Sequence, residues 1–288
     1  MTGNQIGALL MMGSMAGFTF NDMLVKAVGG MMPLSQILTL RGLVTSILIY
    51  VLARRLGALR WKLPRRDWGL IAARCLAEVS ATYLFLTALM VTPLANLTAI
   101  LQSLPLTITL GAAVFFGEPV GWRRMAAILV GFCGILLIIR PDVDGFGEGT
   151  LYALAAVVAI TVRDLLTRRM STEVPSILVT LMASLAVLLF AGLASTQVSW
   201  EPVSVNGLAA VVGAALFIVV GYLCSVMTMR VGDVAFISPF RYTGLLWALL
   251  LGWLVFGDWP DALTLLGAVI VVATGLFTLY RERKLSSG

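Results

Sequence analysis

The sequence predicts an all-α polytopic membrane protein, with ten transmembrane helices arranged as two inverted five-helix repeats. Three observations predict it. Apolar runs fill the whole chain, basic residues are confined to alternate connecting segments, and a Phe-Gly-acidic motif recurs at half-chain spacing. Of 288 residues, 60% are hydrophobic and 12% charged, with a mean hydropathy of +1.00. A soluble domain carries roughly 45–50% apolar and about 25% charged residues. So apolar a chain has too few polar groups to cover a water-facing surface, and lipid removes that conflict.

A helix crossing a hydrocarbon core of about 30 Å needs roughly 20 apolar residues. Apolar runs read against their breaks give ten spans: Gln5–Lys26, Pro33–Leu52, Trp68–Met90, Leu94–Phe116, Met125–Ile139, Gly149–Thr167, Pro175–Ala194, Val205–Met229, Val234–Phe256 and Ala262–Tyr280. Arg54, Arg55, Arg60, Lys62, Arg65 and Arg66 follow span two, Arg123 and Arg124 span four, Arg168 and Arg169 span six, and Arg281, Arg283 and Lys284 span ten. Cytoplasmic loops concentrate lysine and arginine. The expectation is a cell inner membrane protein with both termini cytoplasmic. The opposite segments carry Asp142, Asp144, Glu148, Glu201, Asp258 and Asp261. Trp61, Trp68, Trp122, Trp200, Trp253 and Trp259 lie near span ends, where amphipathic rings settle; Trp247 lies inside span nine.

The net charge of +6 sits in short loops, so the partner it indicates is the lipid bilayer and not nucleic acid. No basic segment precedes the apolar run Ile6–Phe20, so it reads as a first span and not as a cleaved signal. The absence of histidine excludes Ser-His and Cys-His catalysis and His-based zinc sites. Cys75, Cys133 and Cys224 lack metal-ligand spacing, and no cofactor is expected.

The stretch Val114-Phe115-Phe116-Gly117-Glu118-Pro119 resembles Leu254-Val255-Phe256-Gly257-Asp258-Trp259, 140 residues further on. Each precedes a glycine-containing apolar span ending in arginine, at Arg140 and Arg281, with Gly134 and Gly275 in corresponding places. A repeat of five spans must be inverted in the membrane, because five is odd. Units 1–144 and 145–288 follow. On Gly117-Glu118-Pro119, Gly131 to Gly134, Phe256-Gly257-Asp258 and Gly275, the chain resembles the drug/metabolite transporter superfamily, in its ten-helix form with two EamA-type repeats. Gly257-Asp258-Trp259 departs from the usual Gly-Glu-Pro, and the motif carries no substrate information. The resemblance implies a central cavity lined by spans one, three, four, six, eight and nine, and alternating access between the halves.

Charges inside the hydrocarbon are costly and face the bundle interior or water. Arg74 and Glu78, four residues apart on span three, share a face and can pair; Tyr83 follows on the same span. Arg241, beside Pro239 and Tyr242, can clamp a carboxylate or phosphate or else snorkel to the headgroups. Asp22 can pair with Arg41 as an outer gate, or with Lys26 locally. Arg163 and Asp164 are adjacent and point in different directions, which argues against mutual neutralisation. Span four is polar, with Asn96, Thr98, Gln102, Ser103 and Thr107 around Pro105. Tyr222 and Trp247 can stack on a flat ligand or simply pack.

The substrate-binding candidates are therefore Glu78, Tyr83, Asn96, Gln102, Tyr222, Arg241, Tyr242 and Trp247. Those for coupling or gating are Asp22, Arg41, Arg74, Glu78 and Asp164. No phosphate-binding Gly-x-x-x-x-Gly-Lys-Ser/Thr loop exists, so direct ATP drive has no support. The leading expectation is a secondary transporter of a small polar metabolite, with riboflavin and S-adenosylmethionine foremost and protons as the candidate coupling ion. Export of a metabolite or amino acid by the same fold is the alternative. A membrane-embedded lipid-modifying enzyme and a channel are the readings from other classes. Oligomeric state is not legible.

Overall fold

The computed structural model describes residues 2–57, 59, 61–117, 120–140, 147–231 and 237–286, without the side chains of 226, 229–231 and 281–286. Arg60, Glu118, Pro119, Asp142, Asp144, Val234 and Ala235 lie outside the described residues, as do the side chains of Arg281, Arg283 and Lys284.

Ten helices long and apolar enough to cross a membrane run through the described residues. In order they are Gly3–Val28, Leu34–Arg55, Arg65–Val91, the pair Leu94–Leu101 and Leu104–Phe116, Trp122–Ile139, Glu148–Arg169, Ser176–Ser195, Val205–Val231, the pair Ser238–Tyr242 and Thr243–Phe256, and Ala262–Ser286. Span five starts one turn earlier than its hydropathy indicated, and at 18 residues it reaches about 27 Å. Proline sets several starts: Pro33, Pro64, Pro93 and Pro175 stand immediately before spans two, three, four and seven. There the missing N–H costs nothing, because the first turn has no acceptor for it.

Spans four and nine are discontinuous. Span four breaks at Gln102–Ser103 before Pro105, and span nine opens with a short 3-10 turn containing Pro239. Proline removes an N–H and clashes with the preceding turn, so each half-helix restarts there. Both spans end on a left-handed glycine, Gly117 at φ 68° and Gly257 at φ 69°, a backbone region that costs glycine little.

The pairing of spans is two-fold. One packs on eight, three on six, two on seven, five on ten, and four on nine. Shifting every number by five returns the same set, as an inverted repeat requires. Close approaches make the pairs. A Cβ at Gly17 would lie 2.8 Å from the Phe217 carbonyl, and one at Gly134 would lie 2.9 Å from the Gly267 carbonyl. Small residues let membrane helices approach backbone to backbone. Ser46 and Ser184 join spans two and seven through a 2.7 Å hydroxyl pair, and Ser14 donates to the Gly221 carbonyl at 2.8 Å.

The arginine-rich ends of the spans gather at one end of the bundle, the basic end. Glu148, Glu201, Asp258 and Asp261 mark the other, the acidic end. The main core fills the acidic half, with Val25, Val28, Leu86, Leu89, Leu94, Leu97, Ala248 and Leu251 all buried together. The basic half holds only a small cluster around Ile71, Val174 and Val179 among the described residues.

Candidate functional site

That uneven packing leaves a cavity of about 670 Å³ in the centre, within the roughly 300–1,000 Å³ usual for small-molecule sites. Towards the acidic end it reaches no further than Asp22, Arg41, Leu86 and Thr98. Towards the basic end it reaches Thr167 and Ser176, at the ends of spans six and seven. Spans one, three, four, six, eight and nine line it, as the resemblance implies; Arg41 of span two and Ser176 of span seven join them.

One wall is built by spans three and six. The Glu78 carboxylate lies 3.1 Å from Arg74 Nη2, and Arg163 Nη1 donates to Glu78 Oε1 at 3.3 Å. Arg74 Nε donates to Thr167 Oγ1 at 3.0 Å. Burying this carboxylate is tolerable only with such partners. Glu78 Oε2 meets Arg74 Nη2 as an ion pair without hydrogen-bond alignment, and Arg74 Nη1 is also buried without a hydrogen bond.

Two pairings differ from those expected. Arg163 Nε meets Asp164 Oδ1 at 2.8 Å, although neighbours on a helix diverge by about 100°. The long arginine stem folds back far enough to close that gap. Arg41 does not meet Asp22 directly: its Nη1 donates to Asn21 Oδ1 at 3.0 Å, and Asn21 Nδ2 donates to Asp22 Oδ1 at 2.9 Å. The local alternative fails as well, because Lys26 Nζ donates to the carbonyls of Leu89 and Thr92.

The opposite wall comes from spans one and eight. Their glycine crossing lets Phe18 lie over Gly221, where a Cβ would meet the ring at 2.9 Å. Tyr222 then packs edge-on against Phe18 at 5.3 Å and faces the cavity. The two broken helices supply Gln102 from span four, and Arg241 and Tyr242 from span nine. Arg241 is exposed and lines the cavity, and its backbone carbonyl accepts from the Thr243 N–H. Among the described residues no cluster of acidic or cysteine side chains could hold a metal.

The cavity thus brings together Asp22, Arg41, Arg74, Glu78, Gln102, Asp164, Tyr222, Arg241 and Tyr242. Three other candidates lie elsewhere. Tyr83 is one residue off the Arg74–Glu78 face, 44% exposed, and edge-on to Phe190 at 6.0 Å. Asn96 does not line the cavity, whereas Thr98 and Gln102 do. Trp247 packs against Phe20 at 6.2 Å. Thr82, Phe18 and Arg163 also line the cavity. Thr82 was findable, since 74, 78 and 82 continue one helical face.

These features define a class: a multi-pass membrane protein that holds a charged, ligand-sized chamber in its interior, as metabolite transporters do. The chain belongs to the EamA-like transporter family, whose profile matches residues 5–140 and again 147–280. Family membership and the ten apolar spans make it a multi-pass membrane transporter. Among curated relatives it is 25% identical to an S-adenosylmethionine uptake transporter of Rickettsia conorii over 68% of this chain and 66% of that one. It is 31% identical to a riboflavin transporter of Rhizobium johnstonii over 67% and 64%. These alignments span about two thirds of each relative's length. A pseudopaline exporter of Pseudomonas aeruginosa is 28% identical over 94% of this chain and 95% of its own. A solved crystal structure, 20% identical, superposes with a TM-score of 0.66 over 97% of this chain and 98% of its own, which shows a shared fold.

Proposed function

We propose that this chain is a secondary carrier that moves a small polar organic metabolite by alternating access, with units 1–144 and 145–288 as its two halves. The observation that carries the reading is the central charged cavity, sealed by an apolar plug at the acidic end and reaching the basic end. Under the positive-inside rule the basic end and both termini are cytoplasmic, and the conformation is open inward. Four guanidinium groups (Arg41, Arg74, Arg163 and Arg241) and three carboxylates (Asp22, Glu78 and Asp164) line the cavity. The surplus positive charge is Arg241. That balance favours a solute bearing an anionic or polarised group over a greasy cation. The rings of Phe18, Tyr222 and Tyr242 suit a flat moiety. Riboflavin and S-adenosylmethionine, the solutes of two relatives, both offer one.

The test is uptake of labelled riboflavin and S-adenosylmethionine into proteoliposomes, with and without a pH gradient. The reading expects saturable uptake of one solute, stimulated by unlabelled solute on the far side. Non-saturable flux, or none with either solute at any gradient, contradicts it. Export of a metabolite is the second reading, favoured by the near full-length likeness to an exporter. Net efflux from loaded right-side-out vesicles, without uptake, selects it. Glu78 is the first candidate for proton coupling and Asp22 the second.

A further inference from the structure

The two ends of the molecule carry the same contact in inverted form. Phe256 closes span nine and Phe116 closes span four, 140 residues apart, each followed by a left-handed glycine. Over Phe256 lies the ammonium of Lys26, from the last turn of span one, 5.6 Å from the ring centroid. Over Phe116 lie the guanidiniums of Arg168 and Arg169, from the last turn of span six, at 5.7 and 5.0 Å. Span six is the repeat counterpart of span one. Each contact therefore joins one repeat to the other, the first at the acidic end and the second at the basic end.

The acidic-end contact holds more than a ring. Lys26 Nζ donates to the Leu89 carbonyl at 2.8 Å and to the Thr92 carbonyl at 2.6 Å. These carbonyls cap the end of span three, where helix acceptors lack partners and partial negative charge collects. One half-buried ammonium thus ties spans one, three and nine together above the apolar plug that seals the cavity. Releasing it breaks no helix and leaves a cation free to be hydrated.

We propose that Lys26 on Phe256, Leu89 and Thr92 is the latch of the acidic-end gate. The proposal rests on the alternating-access reading. In the present conformation the acidic-end latch is set, in keeping with a cavity that stops below it. The Arg168 and Arg169 contacts on Phe116 are in place while the cavity reaches the basic end, so the acidic-end contact alone is tied to closure, and its strength sets the resting population.

Leu94 is fully buried in the plug, one turn beyond the cavity-lining Thr98 on the same face of span four. The test is labelling of Leu94→Cys, in a background with Cys75, Cys133 and Cys224 changed to serine, by an impermeant maleimide added at the acidic end. With Lys26 present, labelling is slow. Lys26→Met is expected to speed it roughly tenfold, the size of losing a desolvated cation contact. Lys26→Arg restores slow labelling. Unchanged detergent-solubilised melting and elution profiles show that the variants are folded; the Lys26→Arg rescue separates a latch from a merely structural lysine. Labelling that is measurable but indifferent to Lys26 overturns the latch alone. Labelling that stays undetectable in every variant overturns the latch together with the carrier cycle.

Discussion

Glu78 is the residue on which most of the cavity's charge balance turns. It answers Arg74 on its own span and Arg163 on span six. Removing it leaves Arg74 without a carboxylate in a buried setting, while Arg163 keeps Asp164, and a buried charge so stranded costs about 3–5 kcal/mol where no relaxation helps. Glu78→Ala is expected to lower the melting temperature of the purified protein more than Glu78→Gln does. The Glu78→Ala/Arg163→Ala double variant should recover part of the loss, with a coupling of about 0.5–3 kcal/mol. Strict additivity contradicts a working pair. If Glu78 carries the coupled proton, Glu78→Gln removes the pH-gradient dependence of uptake while the protein still folds. Half of this cluster was legible, because spacing of four fixes Arg74 against Glu78. Arg163 was not, because no rule of local spacing brings span six to span three.

A second charged residue works outside the bilayer. Asp261 accepts the Thr264 amide N–H at 2.9 Å at the start of span ten and pairs with Arg140. The Thr264 amide first, and Arg140 after it, hold its carboxyl below the usual carboxylate range. A depressed folded pKa contributes stability that is fully present above the unfolded value of about 3.9 and fades as pH falls through the folded one. Wild type and Asp261→Asn should therefore differ in melting temperature at pH 7 and converge in acid. A gap of equal size at pH 7 and pH 3 contradicts this role.

Among elements, the decisive features are helix pairs that touch backbone to backbone and helices that break. Spans five and ten meet where a Cβ at Gly267 would lie 2.5 Å from the Gly134 carbonyl. Gly267→Val forces the pair apart and is expected to cost about 1–3 kcal/mol or more. Gly192 on span seven has open space around its Cβ position. There Gly192→Ala should stabilise by about 0.5–1 kcal/mol through helix propensity alone. Denaturation of both variants checks the contrast, and equal effects remove the packing argument. Gly134 was visible in the sequence through its place in the repeat, but its partner Gly267 was not. Pro105 and Pro239 stand where spans four and nine break, since proline in a helix interior forfeits a hydrogen bond. Which side chains the breaks present was less legible. Asn96 and Gln102 are equally polar, yet they lie on different faces of one short helix, and only Gln102 faces the cavity.

At the level of the whole molecule, span number and repeat were readable because they rest on hydropathy, charge alternation and an odd count of spans. Spans three and eight are each 27 residues long, at the same 140-residue offset as the two glycines. The direction in which the cavity opens was not readable. The two halves carry nearly the same pattern, and the plug of Leu86, Leu89, Leu94 and Leu97 is a choice between two packings of similar composition. A bistable pair of packings is what alternating access requires.

The most direct test of that claim is a pair of spin-label distances measured with and without saturating substrate. Gly30 and Trp259 are exposed at the acidic end; Glu173 and Trp122 are exposed at the basic end. With labels on cysteines placed at each pair, substrate should lengthen the Gly30–Trp259 distance in part of the population and shorten Glu173–Trp122 in the same part. Distances that stay fixed, or that change in the same sense at both ends, contradict a carrier that opens its central cavity to one side at a time.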